Sequence, residues 1–265
     1  MTTPTAKTPF KLVPATPADF DAIAQIAGDA FQTDSHTLMK AIWKGENNHR
    51  DGTREGLPDL FSNPKMDIIV ARKGSNGTGE VIGSIIWVKI GYLENEAPKT
   101  DNDSPEKPVP SATTTSTTAA FPPPPPPVPA SSPTSPLTIS ELEQTTNNAM
   151  THYMKHLMPS GTKCRIIYGV TVAPAYQGQG VGSALLKWGA DKADQDGVFC
   201  WVSSSMGAWP AYAKAGFVEV GRLELTLDDY AQGVKWRVKN DEGEETEQDW
   251  GVYIWRWMKR DPKLE

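Results

Sequence analysis

The sequence predicts a mixed α/β (α+β) fold, a sheet flanked by helices, and three observations carry that prediction. Short runs rich in β-branched residues alternate with segments whose apolar residues recur at helical spacing. The chain ends in two long strand-like runs that suit an antiparallel pair. Nine tryptophans argue for a tightly packed interior, and none lies in the stretch where 13 of the 23 prolines gather, Pro98 to Pro136.

The first strand runs from Phe10 to Val13. Thr16, with Pro17 behind it and Asp19 three residues on, forms an acidic capping box that starts a helix. Phe20, Ile23, Ala24, Ala27, Ala30 and Phe31 then repeat on one face. A short helix is predicted over His36 to Trp43, followed by a Gly/Asn/Asp-rich stretch. Strands over Asp67–Arg72 and Val81–Tyr92 flank SNGTG, a hairpin signal. From Glu96 to Pro136 the chain is Pro, Ser, Thr, Ala and acids, with too little to bury to offset its ordering entropy. This segment, 96–136, reads as a disordered insertion within one domain spanning 1–265. Order resumes at Ser140, an expected N-cap with Glu143, and Leu142, Ala149, Met150, Tyr153 and Leu157 share a face. A strand over Cys164–Val172 leads through a glycine-rich turn into a helix striped by Val181, Ala184, Leu185 and Trp188 and closed by Gly197. A strand (Val198–Val202), a short helix (Trp209–Lys214) and a strand (Phe217–Leu227) follow. An acidic hairpin loop at 239–249 precedes the last strand, Val252–Trp257.

Composition bounds the function. Net charge is −6, but Asp241 to Asp249 holds six acids, and without them the balance is 26 to 26. No basic surplus marks a phosphate-backbone binder, so a nucleic-acid partner is not expected. No apolar run approaches the roughly 20 residues of a membrane span, and the N-terminus lacks a secretory layout. The expected location is the cytoplasm, with the nucleus open. Cys164 and Cys200 are too few for a disulfide framework or a cysteine-rich zinc site, and read as buried thiols. His152 and His156, four apart, have no partner acid or cysteine at metal spacing, so no metal is expected.

The chemistry concentrates where the strand ending in Val172 meets Ala173-Pro174-Ala175-Tyr176-Gln177-Gly178-Gln179-Gly180-Val181-Gly182-Ser183 and a helix begins. Glycines at alternate positions let backbone amides approach a ligand, and a helix N-terminus favours an anion. The arrangement reads as a pyrophosphate cradle, with a plain chain-reversing turn as the alternative. A nucleotide P-loop fails because Gly182 is followed by Ser183 and Ala184. A dinucleotide fingerprint fails because its third glycine would be Ser183 or Leu185.

Gln177-x-x-Gly180-x-Gly182, behind Val172-x-Pro174, resembles the acyl-CoA signature of the GNAT superfamily of N-acyltransferases. Tyr212-Ala213-Lys214-Ala215-Gly216-Phe217 is similar to that family's Tyr-x-x-x-Gly-Phe ending. Ser205, seven residues before Tyr212, matches a position that often contacts CoA there. The resemblance runs from Phe10 to about Leu227. It implies one GNAT-like domain with a mostly antiparallel sheet and a splayed central strand pair. It also implies acetyl-CoA as co-substrate, an amine acceptor, and direct transfer without a covalent enzyme intermediate. By the same resemblance Val172 supplies an oxyanion-binding N–H and Tyr212 the acid for the leaving thiolate. Gln177, Gly178, Gln179, Gly180, Val181, Gly182, Ser183 and Ser205 would hold CoA, together with Val172.

Several readings stay open at this stage. Tyr212 as a core tyrosine competes with its acid role. The strand Cys164–Val172 lacks the carboxylate that family members often use as base, which leaves Asp34, His36, His49 and Glu94 as candidates beside a water chain. Trp43, Trp87, Trp209 and Tyr92 are candidates for an aromatic acceptor pocket or for the core. Phe121 and the proline run after it suit a polyproline-binding partner or a passive spacer. The expected function is acetylation of a small-molecule primary amine. Acetylation of protein lysines or N-termini is the alternative, and a non-catalytic CoA-binding module the second. Oligomeric state is left open.

Overall fold

The computed structural model describes residues 8–92, 137–239 and 244–263. The proposed insertion, Glu94 and the Phe121-proline run lie outside the described residues. In chain order the strands are β1 (Phe10–Pro14), β2 (Met66–Lys73), β3 (Val81–Ile90), β4 (Cys164–Val172), β5 (Phe199–Ser204), β6 (Val218–Thr226), β7 (Trp236–Lys239), β8 (Glu245–Gln248) and β9 (Val252–Arg260). The helices are α1 (Phe20–Ala30), α2 (Ser35–Lys44), α3 (Asn48–Ser62), α4 (Ile139–Leu157), α5 (Val181–Gln195) and α6 (Trp209–Lys214).

Seven strands form one sheet in the order β1-β2-β3-β4-β5-β9-β6, and β7 pairs with β8 in a separate ribbon. Every pairing in the large sheet is antiparallel except β4 with β5. That parallel pair lasts only from Cys164 to Ile167 against Phe199 to Val202. Beyond it β4 continues along β3, while Ser203 and Ser204 of β5 continue along β9, so the two central strands part. The cause is local. Ile167 faces Trp87 and Gly169 faces Ile86, which leaves Tyr168 as an extra residue in β4. Such a bulge bends its strand and raises its twist. At the joined end Arg165, buried, bonds Asp67 of β2 at 3.1 Å and Asp196 just after α5 at 3.0 Å.

The capping box at the start of α1 forms as expected: Asp19 Oδ2 accepts from the Thr16 amide at 2.8 Å and from its hydroxyl at 3.0 Å. Three local expectations are corrected. The Gly/Asn/Asp-rich stretch after α2 is the helix α3, despite weak helix formers and an internal Pro58. Packing overrides propensity there: Leu57 is fully buried among Phe20, Ile23, Ile68 and Val70, and Phe61 meets Phe20 edge-on at 5.5 Å. Helix α4 starts two residues before the expected point, with Thr138 as N-cap and Glu141 completing the box. Thr138-x-x-Glu141 and Ser140-x-x-Glu143 fit the same pattern, and burying Ile139 selects the first. Glu143 instead pairs with Lys40 at 3.0 Å and Lys44 at 2.6 Å, tying α4 to α2. The buried face of α5 is centred on Leu185, Leu186 and Gly189, leaving Ala184 and Trp188 at its margin. No helix among the described residues is long and apolar enough to cross a membrane.

Candidate functional site

The parted strands expose backbone. The Ala173 N–H donates to the Ile82 carbonyl at 3.0 Å, which makes Ala173–Ile82 a hydrogen-bonded pair of the β3–β4 ladder. Alternation along an antiparallel ladder then turns the N–H and C=O of Val172 and Val170 away from β3. β5 has left that side, so both peptide edges face the cleft. The Val172 carbonyl accepts from Gln177 Nε2 at 3.1 Å. Val170 was missed by sequence reasoning, although its separation of two from Val172 is the strand period that would have found it.

At the end of β4 a single 3₁₀ turn (Pro174–Tyr176) brings the chain to the N-terminus of α5. Gly180 is its N-cap in the left-handed region (φ 93°), and Gly178 is left-handed too (φ 73°). A Cβ on either would point into open space, so a ligand can approach the backbone there. The Ala184 N–H is the first to bond within the helix, to Gly180. The N–H groups of Val181, Gly182 and Ser183 therefore remain for an anion. The Val181 side chain is core, and the Gln179 side chain accepts from the Thr8 amide at 3.1 Å and donates to the Ala175 carbonyl at 2.9 Å. Both residues thus offer a ligand only their backbone.

A cavity of about 740 Å³ opens beside this turn. It brings together Val172, Gln177, Gly182, Ser205 and Tyr212. Gly178, Gln179, Gly180, Val181 and Ser183 do not line it and occupy the adjoining turn at the start of α5. Tyr212 is 4% exposed, and burial alone pushes its phenol well above the usual tyrosine range. Its ring meets Phe217 edge-on at 5.7 Å, and its hydroxyl makes no hydrogen bond among the described residues. It is both a core tyrosine and a cavity residue. The Tyr253 hydroxyl accepts from the Met206 amide at 3.4 Å, and Ser205 lies beside it.

The other half of the cavity comes from the end of α1, the start of α2 and the C-terminal strands. Asp34 is the N-cap of α2: its Oδ2 accepts from the Thr37 amide at 2.9 Å and hydroxyl at 2.8 Å. Its Oδ1 accepts from the Tyr253 hydroxyl at 2.6 Å. Of the base candidates Asp34 lines the cavity, whereas His36 and His49 do not. Burial lowers His36 to about 4, and His49 in the same direction. The aromatic candidates divide between the core and the surface. Trp87 is fully buried under α5, Tyr92 bonds Asp196 at 2.6 Å, Trp43 lies on exposed α2 surface and Trp209 carries the Arg256 guanidinium at 5.0 Å. None lines the cavity; Phe31, Trp236, Trp250 and Tyr253 do. Cys164 and Cys200 are buried, their thiols pushed up to about 11 and about 12 by desolvation, which suits inert core groups.

Residues 146–217 match the family model described as the Acetyltransferase (GNAT) family. No curated protein sequence matches the chain. Among solved structures, a mosquito arylalkylamine N-acetyltransferase like 5b is 13% identical with a TM-score of 0.51, over 96% of this chain and 100% of that one. A histone acetyltransferase HPA2 and related acetyltransferase from Corynebacterium glutamicum is 19% identical with a TM-score of 0.48, over 97% and 98% of the two chains. A paia N-acetyltransferase from Thermoplasma acidophilum in complex with coenzyme A is 10% identical with a TM-score of 0.47, over 96% and 99%. The match region holds the bulged strand β4, the glycine turn, α5, β5 and Tyr212.

Proposed function

We propose that this chain, which belongs to the GNAT superfamily of acetyltransferases, transfers the acetyl group of acetyl-CoA to the primary amine of a small molecule. The observation that carries the reading is the meeting of three features at one cleft: a strand edge with free N–H groups, a glycine-opened helix N-terminus and a buried tyrosine. The cradle fits the co-substrate's pyrophosphate because Gly178 and Gly180 leave its approach clear. The pantetheine arm, which carries amides, would lie in the gap between β4 and β5 along the peptide edges of Val170 and Val172.

The chemistry follows from thioester aminolysis. A neutral amine adds to the acetyl carbonyl carbon, and the Val172 N–H donates to the oxygen as it gains charge. The C–S bond then breaks and the Tyr212 hydroxyl donates its proton to the departing sulfur. Its raised pKa keeps that proton in place until it is needed. The nitrogen proton of the intermediate restores the tyrosine, and the net reaction releases the one proton that the ammonium brought. A small acceptor is favoured by a cavity of about 740 Å³ whose lining is drawn from the end of α1, the start of α2, β4, α6 and β9. Thiol release from acetyl-CoA with panels of small amines and of peptides tests the reading. Turnover on peptides alone would replace it with a protein acetyltransferase, and CoA binding without turnover on any amine with a binding module.

A further inference from the structure

The half of the cavity opposite the glycine turn has a composition that selects its contents. Its walls include Phe31, Trp236, Trp250 and Tyr253. The Trp236 and Trp250 rings lie parallel, 5.8 Å apart and 10° from coplanar. Trp250 Nε1 donates to the Val234 carbonyl at 2.8 Å, and its amide donates to Asp228 at 3.0 Å. The polar edge of that indole is therefore bonded to the protein, and what it offers the cavity is apolar. Against these rings stands one charge. Among the described lining residues Asp34 is the sole carboxylate, and no lysine, arginine or histidine accompanies it.

The Asp34 carboxylate is held in place. Three donors fix it: the Thr37 amide, the Thr37 hydroxyl and the Tyr253 hydroxyl. A carboxylate offers about four acceptor sites, so about one remains for a donor from the cavity. A fixed anion with a free acceptor site beside aromatic faces suits a single ammonium, through a charge-assisted hydrogen bond and attraction to the rings. It does not suit a polyamine, whose further charges would find no second carboxylate among the described lining residues, nor an acid, which Asp34 would repel.

Resting on the assignment of this cavity as the transfer site, we infer that the acceptor is a monocationic primary amine with a flat apolar body, held by Asp34 at its ammonium and by Trp236 and Trp250 along its body. Asp34 is then a binding and positioning residue for the acceptor. Its bonds to Thr37 and Tyr253 link the acceptor's place to the loop after β5, where Ser205 and Met206 meet the same tyrosine.

Calorimetric titration of the CoA-loaded protein tests this. 2-Phenylethylamine is expected to bind at least about tenfold more tightly than spermidine and than 2-phenylethanol, which keeps the ring and loses the charge. Asp34→Asn keeps an N-cap residue for α2 and should weaken 2-phenylethylamine at least about tenfold while CoA affinity stays within about twofold. Trp236→Leu should weaken the aromatic amine and leave CoA affinity alone. Spermidine or 2-phenylethanol binding as tightly as 2-phenylethylamine, or no binding of 2-phenylethylamine, overturns the inference; so does an Asp34→Asn protein that binds it as the parent does. The wild-type ligand comparison decides the matter even if both variants fail to fold. Failure of the parent protein to bind CoA would instead strike the transferase reading, so the two failures are distinguishable.

Discussion

Gln177 Nε2 donates a 3.1 Å hydrogen bond to the Val172 carbonyl, so the side chain that begins the glycine turn holds the last peptide of the strand leading into it. The carbonyl and N–H of Val172 face the same side of β4, where β5 has parted from it. One half of that peptide edge is therefore occupied by the protein and the other half faces the cleft.

Replacing Gln177 by Met keeps the length of the side chain and removes the donor. One exposed neutral hydrogen bond is worth about 0.5–1.5 kcal/mol of stability, so the melt should show a loss no larger than that, and CoA affinity should fall up to about tenfold because binding must then fix the loosened Val172 peptide. Calorimetry with CoA and a thermal melt measure both quantities. Unaltered affinity would mean that the bond to Val172 does not shape the cleft.

Tyr212→Phe removes a hydroxyl that makes no internal hydrogen bond among the described residues, so folding should be little affected. Turnover should fall by about 10²-fold while CoA affinity remains nearly constant. The sign of the pH dependence is set by burial: the raised pKa keeps the phenol protonated through the ordinary tyrosine range near 10. The parent rate should therefore show no alkaline decline from this group below about pH 10. An unchanged rate in the variant would remove Tyr212 from the acid role.

Much of this was legible because the signals were local. The β-branched run Cys164–Val172 and the Trp209–Lys214 helix have the bounds that their sequence pattern predicts, and Gly180 caps α5 from the left-handed region. The half of the cavity opposite the glycine turn was not legible. Asp34 enters it as a helix cap and Trp250 from the loop two residues before β9, and both line it because β9 inserts between β5 and β6 in the sheet. That sheet order has no sequence signal, which is why the tryptophans singled out by proximity to predicted elements are not the ones that line this cavity. Helix α3 was missed for a related reason: the buried Leu57 that secures it needs α1 and β2 as partners.

Gly189 and Trp87 make a tertiary contact that periodicity does not reveal. A Cβ on Gly189 would fall within the fully buried Trp87 indole, so α5 can lie on β3 only with glycine at that position. Gly189→Ala should cost about 1–3 kcal/mol through overpacking, despite alanine's better helix propensity. Denaturant melts of Gly189→Ala, Trp87→Leu and the double variant would measure the coupling. The double variant should be more stable than the sum of the single losses allows; strict additivity would show that the helix shifts to make room.

His36 provides a stability test with a definite sign. Its Nε2 is buried without a hydrogen-bond partner, and its ring sits 5.0 Å from that of Trp255 and 5.5 Å from that of Tyr253. Burial lowers its pKa from 6.5 to about 4; Asp34 and Glu143 pull it up, while Lys40 and His49 pull it down. The unfolded chain takes up this proton below about pH 6.5 and the folded protein only below about 4, so folding is penalised progressively as pH falls between those values. The penalty approaches about 3 kcal/mol and levels off below the folded pKa. Groups that do not face His36 titrate alike in the parent and a His36→Gln variant, so the difference between their stabilities reports the imidazole and its neighbours Asp34, Lys40, Glu143 and His49. From pH 7 to pH 4 the parent should lose about 3 kcal/mol more than the variant in urea melts. Parallel pH profiles would mean that the imidazole is solvated enough to charge in the folded state.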